Sequence, residues 1–304
     1  MKEPSVMLAP TKQIPFDSPH IEYPLLGSPK LDGMRIKVMP DGLFSRTHKK
    51  QCDRLHLHFR RIVDAAKRED LVFDCELWST QLAFNEIMTK KNLIRCQLYV
   101  FDMMTAAEWY GGTERPFMER FDEYTRWCNK LNWWRVKALD QTLIRNESEL
   151  RELFGMCVDA NLEGIVVRPA FSCYKHGRCT VNEGLMFKWK QWDTVDAKIV
   201  GYKLGTRMIE DAPRRQNPLG FLEYVSSQEF REQTDRISTM EVELESGIRF
   251  YAGWSQSTLL EWPKTHEEFT KKYLGKMVEV RYHYGSKDKP RTPAILRLRP
   301  DKDD

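Results

Sequence analysis

Apolar and polar positions alternate at residues 34–39, a Pro40-Asp41-Gly42 turn follows, and a second extended run covers 43–47, a pattern that predicts a β-hairpin. Such a hairpin returns Arg46 toward the start of its first strand. Residues 55–68 and 117–131 carry apolar side chains at the spacing of amphipathic helices. Asn146 with Glu149 reads as a capping box for a further helix ending near Ala160. Strands are predicted at residues 71–78, 98–103, 164–168 and 185–192. Helices and strands mix without the regular alternation of a doubly wound sheet, so this part is α+β, with antiparallel sheets and flanking helices.

After Trp192 the texture changes. Residues 197–202, 240–244, 248–254, 277–284 and 294–299 all read as short strands, with a Ser246-Gly247 turn and one helix that starts at Thr265, is capped with Glu268 and stops at Gly275. Five such strands suit a small barrel of OB type, and an SH3-like barrel fits the same count. Residues 206–238 are polar, hold Pro213, Pro218 and several arginines, and read as a loop or hairpin inserted into the barrel. The expected division is therefore an α+β domain over residues 1–192 and a barrel domain over 193–304.

Composition narrows the setting. No apolar run in the 304 residues is long enough to cross a bilayer, and no signal or transit pattern opens the chain, so an intracellular protein is expected, in the cytoplasm or in a host-cell cytoplasm. The seven cysteines form no Cys-x-x-Cys pair, and His56 and His58 lack a third partner of metal-binding spacing, which argues against zinc. A net charge of +4 is too mild to identify a nucleic-acid binder, although local pairs such as Arg214 and Arg215 are available to phosphate.

The chemistry lies in a series of short runs. In KLDGMR, residues 30–35, Lys30 is a candidate nucleophile, Gly33 permits a turn or a close approach, and Asp32 can bond a ribose hydroxyl. A lysine attacks only when uncharged, and Arg35 with a bound metal would favour that form. In FDCELW, strand alternation sets Asp74 and Glu76 on one face, a pair suited to Mg²⁺. Glu163 precedes the apolar run of EGIVVR, and in FKWKQW the lysines Lys188 and Lys190 point to one side, where an anion such as a triphosphate would compensate them.

In this order and spacing, KLDGMR, FDCELW, YVFDMM, EGIVVR and FKWKQW resemble the nucleotidyltransferase motifs of ATP-dependent DNA ligases and their mRNA-capping relatives. Arg299-Pro300-Asp301-Lys302 resembles the last motif, which in that superfamily belongs to the OB domain. The similarity is closest to the minimal viral class of the Chlorella virus type, including SRT at 45–47, YKHGR at 174–178 and GSKDKPR at 285–291. The resemblance implies an adenylation domain followed by an OB-fold domain, ATP as substrate with Mg²⁺ or Mn²⁺, nicked duplex DNA as partner, and a monomer. It implies that Lys30 holds AMP and that Phe101 stacks on adenine. Glu76, Asp32 and Arg35 would lie on the ribose side, and Glu163 with Glu76 at the metal. Lys188 and Lys190 would meet the α-phosphate, Arg46 and Arg178 a phosphate at the nucleotide or the nick, and Arg299, Asp301 and Lys302 the pyrophosphate. The corresponding insertion of minimal viral enzymes clamps DNA, and residues 206–238 are expected to do so here. Cys75 stands where the family usually has glycine; its side chain should face away from Glu76, so the change is expected to be tolerated, while a thiol adjacent to the site would sensitise it to oxidation or alkylation. An mRNA guanylyltransferase or RNA ligase shares these motifs, whereas a non-catalytic single-strand binder using Tyr202, Tyr251, Trp254, Tyr282 and Tyr284 would leave the lysines and glutamates unexplained.

Overall fold

The computed structural model describes residues 3–82, 84–87, 89, 91–225, 228–254, 263, 265–283 and 290–302. Tyr284 and residues 285–289 of the GSKDKPR run lie outside the described residues. Two compact units emerge: Met1–Lys190 with Gln216–Phe221, and Gln191–Arg215 with Leu222–Asp304.

The first unit contains, in chain order, β1 (Leu25–Pro29), β2 (Met34–Met39), β3 (Gly42–Ser45), α1 (Asp53–His58), α2 (Arg60–Glu69), β4 (Leu71–Trp78), α3 (Phe84–Ile87) and β5 (Gln97–Thr105). It continues with α4 (Ala106–Gly111), α5 (Phe117–Leu131), β6 (Val136–Ala138), β7 (Thr142–Ile144), α6 (Glu147–Asp159), β8 (Gly164–Pro169) and β9 (Phe187–Lys190). Two sheets organise them, a five-stranded one in the order β3-β2-β4-β5-β6 and a four-stranded one in the order β7-β1-β8-β9. Helix α2 packs on β2 and β4, and α5 packs on β5 and β6. Period-two alternation along β4 sends Phe73, Cys75 and Leu77 into that helical core with Ile62, Phe117 and Tyr124. The chain leaves the smaller sheet at Pro29 and enters the larger at Met34, so Lys30 to Gly33 form the crossing.

Two expected elements divide. The helix expected at 55–68 breaks at Phe59, whose φ of −110° and ψ of 22° leave the helical region while its ring is buried in the core. The strand expected at 185–192 ends at Lys190, because β9 pairs with β8 whereas the next strand, starting at Trp192, pairs within the barrel. The cap before α6 forms half as expected: Asn146 accepts from the Glu149 amide, but Glu149 returns its carboxylate to the amide of Arg145.

The second unit is a closed barrel of β10 (Trp192–Met208), β13 (Arg231–Glu243), β14 (Arg249–Trp254), β15 (Met277–His283) and β16 (Ala294–Leu298), in the order β10-β13-β14-β16-β15. Strand β16 pairs parallel with β14, an out-of-order closure that distinguishes an OB-type barrel from a simple meander. Helix α7 (His266–Lys272) lies between β14 and β15 in sequence, capped at Thr265, and buries Phe269 in the barrel core. The insertion is partly strand. Strands β10 and β13 stay paired as far as Met208 and Arg231, and beyond them β11 (Arg214–Gln216) and β12 (Leu222–Tyr224) form a two-stranded sheet.

Candidate active site

Sheet register assembles the site. Pairing of β1 with β8 puts Pro29 opposite Ile165, and the Lys30 amide then donates to the Gly164 carbonyl at 2.8 Å. Pairing of β8 with β9 puts Gly164 opposite Lys190. Three adjacent strands thus end at one place, and there Lys30 Nζ meets Glu163 Oε2 at 2.5 Å while Lys190 Nζ meets Oε1 at 2.7 Å. Gly164 is required: its φ is +139°, and a Cβ would sit 2.0 Å from the Trp189 carbonyl oxygen. Along β9, Phe187 and Trp189 are buried while Lys188 and Lys190 turn to the other face. Trp189 locks that alternation, donating its indole N–H to the Ile14 carbonyl at 2.8 Å and stacking on Phe16 at 5.0 Å.

Gly33 carries the chain past β4. A Cβ there would lie 2.3 Å from the Leu77 carbonyl oxygen and 3.0 Å from Glu76 Cγ. On the following strand Arg35 pairs in register with Glu76. Burial pushes the Glu76 carboxyl up to about 7, with Lys30 and Arg35 pulling it back. Glu163 is also pushed up by burial, but Lys30 and Lys190 more than offset this and hold it below the usual carboxylate range. Burial, reinforced by Lys190, Arg178 and Lys30, lowers the Lys188 amine to about 8. Lys190 is lowered by burial as well, opposed by Glu163. One electrostatic environment therefore joins Lys30, Glu76, Glu163, Lys188 and Lys190, with Asp32 close enough to act on Lys190.

Asp74 does not share that environment as a metal ligand. Its carboxylate closes a fork with Arg35, Nε to Oδ1 at 2.8 Å and Nη2 to Oδ2 at 2.5 Å, and accepts the Tyr174 hydroxyl at 2.7 Å. The expectation of an Asp74–Glu76 magnesium pair is corrected accordingly. Arg35 gives its Nη1 to the Met7 carbonyl at 2.8 Å, and its guanidinium carbon lies over the Phe101 ring, 5.0 Å from the centroid. These bonds use three of the five N–H groups of Arg35.

Phe101 owes its position to a bulge. The β4–β5 register jumps from Asp74↔Asp102 to Cys75↔Val100, leaving Phe101 as the extra residue. Behind it, Asp102 is completely buried and paired with Arg120 at 2.8 Å and with Arg168, whose Nη2 also donates to the Phe101 carbonyl at 3.0 Å. Burial raises the Asp102 carboxyl, but the two arginines outweigh it and hold it low. Sequence reasoning missed this trio. Asp102 and Arg168 sit inside quoted motifs, and Arg120 falls on the apolar stripe of α5 with Phe117 and Tyr124, an anomalous place for a cation and the signal that was available.

Arg46 is exposed just beyond β3, and Arg178, also exposed, donates Nη1 to the Ala9 carbonyl at 2.7 Å. In the barrel unit Arg299 bonds Asp301 at 2.9 Å and Asp196 at 3.0 Å, and Lys302 meets Asp196 at 2.5 Å. Asp196, which organises that cluster, carried no signal in the sequence. Cys75 is wholly buried on the helix side, facing away from Glu76 as expected, and burial holds its thiol well above the ordinary range, which argues against ready oxidation.

Among the described residues no three His, Cys, Asp or Glu side chains gather to hold a metal. Glu76 and Glu163 suit a hard cation that arrives with a triphosphate and keeps its waters, with Glu163 first giving up the two lysines that hold both its oxygens. Among the described residues no helix is long and apolar enough to cross a membrane.

Residues 20–190, more than half of the 304, match the family model of the ATP dependent DNA ligase domain. Among solved structures, one of the Lig E DNA ligases, described as binding DNA with a minimal scaffold, is similar with a TM-score of 0.65 at 18% identity, covering 96% of this chain and 98% of that one. The Chlorella virus DNA ligase-adenylate is similar with a TM-score of 0.50 at 20% identity, covering 98% of this chain and 100% of that one. These two likenesses show the fold. No curated protein matches by sequence.

Proposed function

The chain belongs to the family of ATP-dependent DNA ligases, and from that premise we propose that it seals nicks in duplex DNA by way of AMP held covalently on Lys30. The observation that carries the proposal is the clamp in which Lys30 and Lys190 grip opposite oxygens of Glu163, with Lys188 and Glu76 in the same field. Glu163 fixes the amine, which, once uncharged, attacks the α-phosphorus of ATP. The P–N bond forms as the bond to pyrophosphate breaks, and Lys188 and Lys190 stabilise the negative charge that gathers on the phosphoryl oxygens. Phe101 offers a ring face to adenine, and Asp32 and Glu76 face the ribose. A divalent ion carried by the triphosphate would sit against Glu76 and Glu163 and neutralise phosphate charge when bound.

In the second step the 5′-phosphate of the nick attacks the lysyl-AMP phosphorus and Lys30 leaves as the amine. In the third, the 3′-hydroxyl attacks that 5′-phosphate and AMP departs. Arg46 and Arg178 receive the nick phosphate, while Arg299, Asp301 and Lys302 serve the pyrophosphate of the first step. In this reading the first unit is the adenylation domain and the second the OB-fold domain, and the insertion, with Arg214, Arg215, Phe221 and Leu222 exposed, grips duplex DNA. The protein acts as a monomer inside the cell, where ATP and DNA coexist. The test is sealing of a nicked DNA duplex with ATP and Mg²⁺, with an otherwise identical RNA duplex beside it. Joined DNA that depends on ATP supports the reading; joining of RNA alone overturns it in favour of RNA ligase.

A further inference from the structure

The segment ahead of β1 makes contacts that go beyond filling a core. Glu3 is nearly buried, and its carboxylate gathers Lys37 Nζ at 2.8 Å, the Trp109 indole N–H at 3.0 Å and the Tyr110 hydroxyl at 3.2 Å. Lys37 is itself fully buried, so each charge compensates the other where no water reaches. From that anchor the chain runs as a ribbon alongside residues 176–179. The Leu8 amide donates to the Gly177 carbonyl, and the Cys179 amide donates to Leu8, both at 2.8 Å.

Along this path the contacts fall on the residues given chemical roles above. The Met7 carbonyl accepts from Arg35 Nη1, and the Met7 amide donates to the Tyr174 hydroxyl at 2.9 Å, which in turn holds Asp74. The Ala9 carbonyl accepts from Arg178. Gln13, exposed, accepts the Lys190 amide on its Oε1 at 3.0 Å, and the Ile14 carbonyl takes the Trp189 indole. A main-chain carbonyl takes up one donor of a guanidinium and fixes its plane while leaving the other N–H groups of Arg178 for phosphate.

We propose that residues 3–14 are a positioning strap, latched by Glu3, that orients Arg35 and Arg178 through main-chain carbonyls and Lys190 through Gln13. The proposal rests on the adenylation reading for the roles of those three side chains. None of the strap residues touches the reacting atoms; each acts through another group.

Gln13→Ala and Gln13→Glu test it, because Gln13 is exposed and its loss leaves the core intact. Lysine adenylation is followed against ATP concentration, together with thermal melting. Gln13→Ala is expected to raise the KM for ATP about three- to tenfold with an unchanged melting temperature, the size of one lost hydrogen bond, and Gln13→Glu, which keeps the acceptor, to restore it. Glu3→Gln is expected to speed amide exchange at Met7 and Leu8 and to raise the same KM. If the variants keep wild-type KM and kcat, and Glu3→Gln changes only the melting temperature, the strap is structural filling and the proposal is overturned. Failure of the unaltered protein to take up AMP overturns the adenylation reading itself, and this proposal with it.

Discussion

At the scale of single residues, the site is a contest between burial and charge. Lys188 loses that contest: half-buried beside Lys190, Arg178 and Lys30, its amine titrates at about 8. Below that pH it is a cation and attracts phosphate; above it the charge is lost. Binding of an α,β-methylene ATP analogue, which Lys30 cannot cleave, is therefore expected to weaken as pH rises from 7 to 9. Lys188→Arg, whose guanidinium stays protonated, flattens the profile. Equilibrium titration across that range measures it, and equal slopes for the two proteins would refute the assignment. The lysines and glutamates of this site were legible because few other reasons place such charges beside apolar runs. The fork of Arg35 on Asp74 was not legible, since alternation fixes which face a carboxylate takes but not which neighbour claims it.

At the scale of elements, β5 shows how a strand aims a ring. Asp102 anchors the bulge that sets Phe101, and it balances two arginines in a place where no water compensates them. Asp102→Leu strands both cations and is expected to cost about 3 to 5 kcal/mol of stability, read from the midpoint of urea unfolding. A change within about 0.5 kcal/mol, the range of an ordinary surface substitution, would show that the trio is solvated instead. Periodicity gave α5 and β4 their bounds, because both are long and strongly patterned. It missed β6 and β7, which are three residues each, too short to show a period, and it joined α1 to α2 because Phe59 continues the apolar stripe through the break.

At the scale of the whole molecule, the candidate site residues fall in two compact units. Five barrel strands could be counted in the sequence, but the parallel pairing of β14 with β16 depends on contacts far apart in the chain, which no local pattern encodes. The Arg299, Asp301 and Lys302 cluster, organised by Asp196, belongs to the barrel. If it serves only the departing pyrophosphate, Arg299→Ala with Lys302→Ala should slow lysine adenylation at least tenfold while sealing of a chemically 5′-adenylated nick proceeds at the wild-type rate, a loss of more than about 1.4 kcal/mol confined to one step. Equal loss in both assays would place the cluster on DNA instead.

The central claim is that the amine gripped by Glu163 is the nucleophile. Incubating the protein with α-labelled ATP and Mg²⁺, then resolving it under denaturing conditions, measures this directly. Label from ATP on the wild-type chain, absent from Lys30→Ala and released by pyrophosphate, is the predicted result. Label that persists in Lys30→Ala, or that comes from GTP and not from ATP, would contradict it.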